Sequence, residues 1–149
     1  MIDNRDKMLI RELEKNSKLS SRKLAMKSGL PISTTHRRVK ILEKEGVIKG
    51  YKAIVDYEKI GKPVGLILLI NIAEDTPKES YVPLNNLKEE LKKFDEIHEI
   101  LEVKSEKWDL FIKARLNNLK DTNPFLEKMR KIKGVEEVNS IIITDEIII

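Results

Sequence analysis

The sequence predicts an α+β fold in two domains, and three observations carry that prediction. Residues 1–55 show three short helical patterns, each closed by capping and stop residues, followed by a β-rich segment. Residues 63–149 alternate strand and helix in the order βαββαβ. Charge divides at the same place: residues 1–50 hold 13 Lys/Arg against 6 Asp/Glu, whereas residues 51–149 hold 16 against 19.

In the first domain, Asp3 is placed to cap a helix whose Leu9, Ile10 and Leu13 lie on one stripe. Lys15-Asn16-Ser17-Lys18 is a polar break. Ser20 or Ser21 caps a second helix, with Leu24 and Ala25 inward and Ser28-Gly29 at its end. Pro31 fixes the approach to a third helix from about Ser33 to Glu45, with Thr35, Val39 and Leu42 inward and Gly46 as its stop. Residues 47–55 turn to β-rich composition with turn residues inside. Three helices followed by a β-ribbon make a winged helix-turn-helix, and residues 56–62 read as the linker behind it.

The second domain opens with the apolar strand Val64–Ile72. Pro83 then starts a helix carrying Leu84, Leu87, Leu91 and Phe94 at core-facing spacing. Strands at 97–103 and 108–114 are joined by a charged turn at 104–107. Asn123 and Pro124 start a helix with Phe125, Met129 and Ile132 inward and Gly134 just past its end; a strand at 135–144 closes the domain. This order is ferredoxin-like, one antiparallel sheet with two helices on one face. Apolar side chains such as Ile112 and Ile142 are then expected on the other face, where a second subunit would cover them.

Composition narrows the function. The 149 residues exclude a (β/α)₈ barrel, which needs about 250. The absence of cysteine excludes disulfides and thiolate metal sites, and His36 and His98 are 62 positions apart, so neither metal nor cofactor is expected. No apolar run reaches the about 20 residues of a membrane helix. The opening Met1-Ile2-Asp3-Asn4-Arg5-Asp6 is charged at once, so a cytoplasmic protein with no membrane partner is expected. Abundant lysine, glutamate and isoleucine lean towards a thermophile.

Between Glu14 and Glu43 there is no acid, but there are eight bases. Such a stretch points to a polyanion, and double-stranded DNA is the expected partner. With Thr35, Val39 and Leu42 inward, the third helix presents Ser33, Thr34, His36, Arg37 and Lys40 outward. Short hydroxyls, an imidazole and long cations near a helix N-terminus suit base edges and phosphates. Arg38, Arg22, Lys49 and Lys52 complete the candidate DNA-binding set, the last two with Tyr51 on the wing. An enzyme would need a catalytic constellation, and none is visible. Glu89-Glu90 and Glu136-Glu137 are charged faces, and Gly61, Gly65 and Gly134 are isolated rather than part of a phosphate loop. His98 reads as a surface or interface residue and Trp108 as packing. An architectural, weakly specific DNA binder without an effector would use the same cations and is the alternative.

Particular residues resemble the Lrp/AsnC family of bacterial and archaeal transcription regulators along the whole chain. They are Ile2-Asp3 with Asp6, Leu9-Ile10 and Leu13; Leu24-Ala25 and Gly29-Leu30; then His36-Arg37-Arg38-Val39-Lys40 with Leu42-Glu43, Gly46-Val47-Ile48 and Gly50-Tyr51. The resemblance implies a homodimer assembling to a tetramer or octamer, palindromic promoter DNA and response to an amino-acid effector. The family's Ser-Pro entry to the third helix is Pro31-Ile32 here, which moves the expected cap to Ser33; a usual apolar position in the first helix is Arg5. The family's effector turn corresponds to Ser105, Glu106, Lys107 and Asp109, with Glu106 where relatives carry glycine. A carboxylate there opposes a ligand's own carboxylate, so neutral amino acids are disfavoured and lysine or arginine favoured. A pairing of Lys107 with Glu106 would remove that bias.

Overall fold

A computed structural model describes residues 1–73 and 82–148, which form two compact units, Met1–Ile54 and Val55–Ile147. The first unit holds helices α1 (Asn4–Lys15), α2 (Ser21–Ser28) and α3 (Ile32–Lys44). Asp3 caps α1 in a reciprocal box: its Oδ1 accepts from the Asp6 N–H at 2.9 Å, and its own N–H donates to Asp6 Oδ2 at 3.0 Å. Ser20 caps α2 by accepting from the Lys23 N–H, and Gly29 ends it at φ +65°, where an L side chain would be strained. Leu9, Leu13 and Leu24 form the core, with Leu19, Leu30, Val39 and Ile48 against it.

Two expectations fail in this unit. Helix α3 begins at Ile32, not Ser33, and its N-cap is Pro31, with no side-chain cap bond. The Pro31 carbonyl already accepts from the Thr35 N–H at 2.9 Å, so Ser33 lies inside the first turn. Nor do residues 47–55 form a ribbon: they run as bends and irregular chain, with no strand. The N–H groups of Val47 and Ile48 both donate to the Leu42 carbonyl and close the end of α3. A strand needs a ladder partner, and among the described residues of this unit none pairs with 49–55.

The second unit holds β1 (Val64–Ile72), α4 (Leu84–Leu91), β2 (Ile97–Glu102), β3 (Leu110–Leu116), α5 (Thr122–Arg130) and β4 (Val135–Ile143). The strands form one antiparallel sheet in the order β2-β3-β1-β4. Strand β3 starts two residues later than its composition suggests, because the Ser105 hydroxyl accepts from the Trp108 N–H and prolongs the turn. Leu66, Leu68 and Ile70 of β1 and Leu110, Ile112, Ala114 and Leu116 of β3 are buried beneath Leu87, Leu91, Phe125 and Met129 of the two helices. Ile112 is therefore a core residue, fully buried opposite Leu68, and not part of the uncovered face. Ile142 is 49% exposed, yet it pairs with Leu66 and so shares the helix-side parity, on edge strand β4. The uncovered face carries instead Ile67, Leu69, Phe111, Leu101 and Ile141, all half-buried or exposed.

Tyr57, read as linker, belongs to this unit: its hydroxyl lies 3.3 Å from His98 Nδ1 and its ring 4.6 Å from the Arg115 guanidinium. Arg115 passes over Gly65, where a Cβ would come within 2.9 Å of Nη1. Among the described residues, no helix is long and apolar enough to cross a membrane, and no group of three or more His, Asp or Glu could hold a metal ion.

Candidate nucleic-acid interface

Helix α3 is seated by Thr35 and Leu42, both buried, and by half-buried Val39. Helical periodicity then turns Ser33, His36, Arg37 and Lys40 outward, all exposed, with Thr34 half-buried beside them. Ser33 and Arg37 are four apart, as are His36 and Lys40, so they stack as two rows on one face. Arg37 makes no ion pair among the described residues. Lys40 Nζ reaches Glu43 Oε2 at 3.1 Å, but the lysine side chain is 64% exposed, and such surface pairs are weak enough to yield to a phosphate.

Glu43 also accepts from the Tyr51 hydroxyl at 2.9 Å. That bond first, and Lys40 second, hold the Glu43 carboxyl below its ordinary range; burial and the same bond raise the Tyr51 phenol. Tyr51 is thereby tied to the last turns of α3, and the exposed Lys49 and Lys52 flank it in sequence. Arg22 is exposed in the first turn of α2. The sequence gives no hint of the Tyr51–Glu43 tie, which joins residues eight apart across a helix end.

Arg38 leaves the candidate set. Its Nη1 lies 2.8 Å from Asp6 Oδ1 and 2.9 Å from Asp3 Oδ2, so the guanidinium is committed to α1. Helical phase explains it: Arg38 is three residues from Thr35 and four from Leu42, on the inner flank of α3. Other bases of the acid-free stretch are compensated from outside it. Lys15 and Lys27 both pair with Glu12, at 3.1 and 3.0 Å. Lys18, Arg22, Lys23 and Arg37 make no ion pair among the described residues. A feature that charge reasoning passes over is Ile32, the first residue of α3 and 51% exposed.

In the second unit, Ser105 and Asp109 shape the β2–β3 turn. The Ser105 hydroxyl donates to the Trp108 carbonyl at 2.9 Å, and Asp109 Oδ2 accepts from the Ile72 N–H at 2.7 Å. Lys107 does not neutralise Glu106; its Nζ pairs with Glu137 at 2.8 Å and lies 4.7 Å from the centre of the Trp108 ring. Glu106 is exposed and makes no ion pair among the described residues.

Comparison with known proteins agrees with both units. Residues 2–49 match a winged helix-turn-helix DNA-binding family, and residues 75–149 match the Lrp/AsnC ligand binding domain. The HTH-type transcriptional regulator FL11 of Pyrococcus furiosus is 32% identical over 143 residues, covering 96% of this chain and 89% of its own length. An AsnC family transcriptional regulator from Agrobacterium tumefaciens superimposes with a TM-score of 0.81 at 25% identity, over 99% of this chain and 93% of its own. A transcriptional regulator of Neisseria meningitidis in complex with L-methionine shares the fold, with a TM-score of 0.84 at 21% identity over 99% and 92%. An outward-facing basic helix on a three-helix head, a four-stranded antiparallel sheet in the second unit and these relatives agree: the chain belongs to the Lrp/AsnC family of transcriptional regulators.

Proposed function

We propose that this regulator binds palindromic promoter DNA through α3, as a homodimer or as a tetramer or octamer built from dimers. Ser33, Thr34, His36, Arg37 and Lys40 read the major groove, while Arg22, Lys49 and Lys52 contact the flanking backbone. The observation that carries this reading is the exposed Ser33/His36/Arg37/Lys40 face, seated on buried Thr35 and Leu42. The dimer is supported by the uncovered sheet face, where Ile67, Leu69, Phe111, Leu101 and Ile141 make an apolar strip beyond what isolated surface residues provide. Two copies related by a two-fold axis would hold their α3 helices about one DNA turn, roughly 34 Å, or a multiple apart.

The β2–β3 turn is proposed to select a cationic amino acid. Glu106 makes no ion pair among the described residues, and Lys107 pairs with Glu137 instead. The methionine complex of the Neisseria meningitidis protein places a neutral amino acid on that relative, and Glu106 is the feature expected to disfavour one here. The decisive experiment is a footprint on the protein's own promoter region, with and without a panel of amino acids. Protection of two half-sites at helical spacing supports the reading. Uniform coverage with no preferred site would replace it with the architectural one.

A further inference from the structure

The bonds around Arg38 close into a ring. Asp3 and Asp6 exchange backbone–carboxylate bonds at 3.0 and 2.9 Å, and Arg38 Nη1 donates to one oxygen of each carboxylate. Asp6 is only 8% exposed, a carboxylate drawn out of water inside a basic unit. A group so placed needs charged partners, and the ring supplies them. It joins the first turn of α1 to the middle of α3, 32 and 35 residues away in sequence. Helix α3 has no side-chain cap of its own; buried Thr35 seats its front half, and this ring ties its flank to α1.

We infer that Arg38 is a positioning residue for DNA binding, fixing the angle of α3 through Asp3 and Asp6 without touching DNA, and that Asp6, though an acid, promotes binding. The inference rests on the reading that α3 enters DNA. A phosphate-contacting arginine and a positioning arginine differ in salt dependence. Each phosphate contact adds about −0.9 to the slope of log K against log salt, whereas a residue that acts through helix orientation contributes nothing to it.

The test uses the full chain, a duplex site selected from a random-sequence library by the parent protein, and binding measured from low to moderate salt. Arg38→Gln and Asp6→Asn should each weaken binding about tenfold, about 1.4 kcal/mol, with the salt slope unchanged. The double variant should bind no more weakly than the worse single, and Arg38→Lys should recover part of the loss. Far-UV circular dichroism checks that each variant keeps its helices. If Asp6→Asn loses them, Asp3→Asn, which leaves the Asp6–Arg38 pair in place, should show the same unchanged slope with a smaller loss. Tighter binding by Asp6→Asn, or a slope flattened by about one unit in Arg38→Gln, would overturn the inference. Arg37→Gln and Lys40→Gln separate the two levels. If neither alters affinity, α3 is not the DNA-reading helix; if both weaken binding while Arg38→Gln flattens the slope, only the positioning role fails.

Discussion

Replacing Thr35 by valine should stabilise the DNA-binding unit. Thr35 is fully buried, and its hydroxyl has no hydrogen-bond partner among the described residues. An unpaired buried hydroxyl costs about 1–3 kcal/mol in lost hydration. Valine fills nearly the same volume, replaces the hydroxyl with a methyl worth about 0.8 kcal/mol when buried, and has almost the helix propensity of threonine. A net gain of at least about 1 kcal/mol follows, equivalent to a rise of about 4–8 °C in melting temperature for a domain of this size. Because the chain has two units, a single melt can mix their transitions. Native-state hydrogen exchange on the full-length chain resolves them: protection should rise for amides of α1–α3 and stay fixed in the sheet. DNA affinity should not change, since Thr35 faces inward. Destabilisation by 1 kcal/mol or more would show that the hydroxyl is satisfied in solution and refute the reasoning.

Three further outcomes are expected. Asp3 has its carboxyl lowered first by the Asp6 N–H and then by Arg38; a depressed native pKa gives stability that is present above the ordinary value of 3.8 and lost as pH falls through the lower native value, so an acid titration of the α1 amide signals should show capping intact at pH 5, with Asp3→Asn removing the late acid step. Calorimetry should detect no tight binding of leucine, methionine or glutamine, because a carboxylate 4 Å from Glu106 costs about 4 kcal/mol at an effective dielectric of 20; Glu106→Gly should admit them, and tight leucine binding by the parent would show that the turn does not discriminate. Ile141→Glu, at a position already 52% exposed and so harmless to the core, should lower the mass seen by light scattering to that of a smaller assembly; an unchanged mass would place the subunit contact elsewhere.

Local chemistry made much of the fold legible. Asp3, Ser20 and Gly29 mark helix ends within a few residues of themselves, and each does so in the structure. The βαββαβ order was equally plain, because Leu84, Leu87 and Leu91 repeat at helical spacing between strands of other periodicity. The parity of β3 was also readable, since Lys113 and Arg115 on alternate positions mark Ile112 as inward. What stayed hidden depends on partners distant in sequence. An acid-free stretch in sequence is not acid-free in space, because Arg38 reaches Asp3 and Asp6, and Lys27 reaches Glu12. The ribbon at 47–55 failed for a related reason: β-composition is a preference, and a ladder needs a second strand to satisfy it. On α3, the exposed set Ser33, His36, Arg37 and Lys40 follows from helical phase alone, and the same phase puts Arg38 on the inner flank.

The sheet order sets a schedule for synthesis. The three helices of the first unit close on neighbours near in sequence, so that head can fold as soon as it is made. Strand β1 is different: it is central, and its hydrogen-bonding edges wait for β3 on one side and β4 on the other. At roughly 5–20 residues per second of translation, the last residue of β4, Ile143, follows Ile72 by about 4–14 seconds. Throughout that interval the apolar run Val64–Ile72 has at least one open edge, the kind of segment that pairs with its like on a neighbouring nascent chain. Soluble yield should therefore respond to translation speed and chaperone supply, with losses traced to the sheet while the DNA-binding head is already folded.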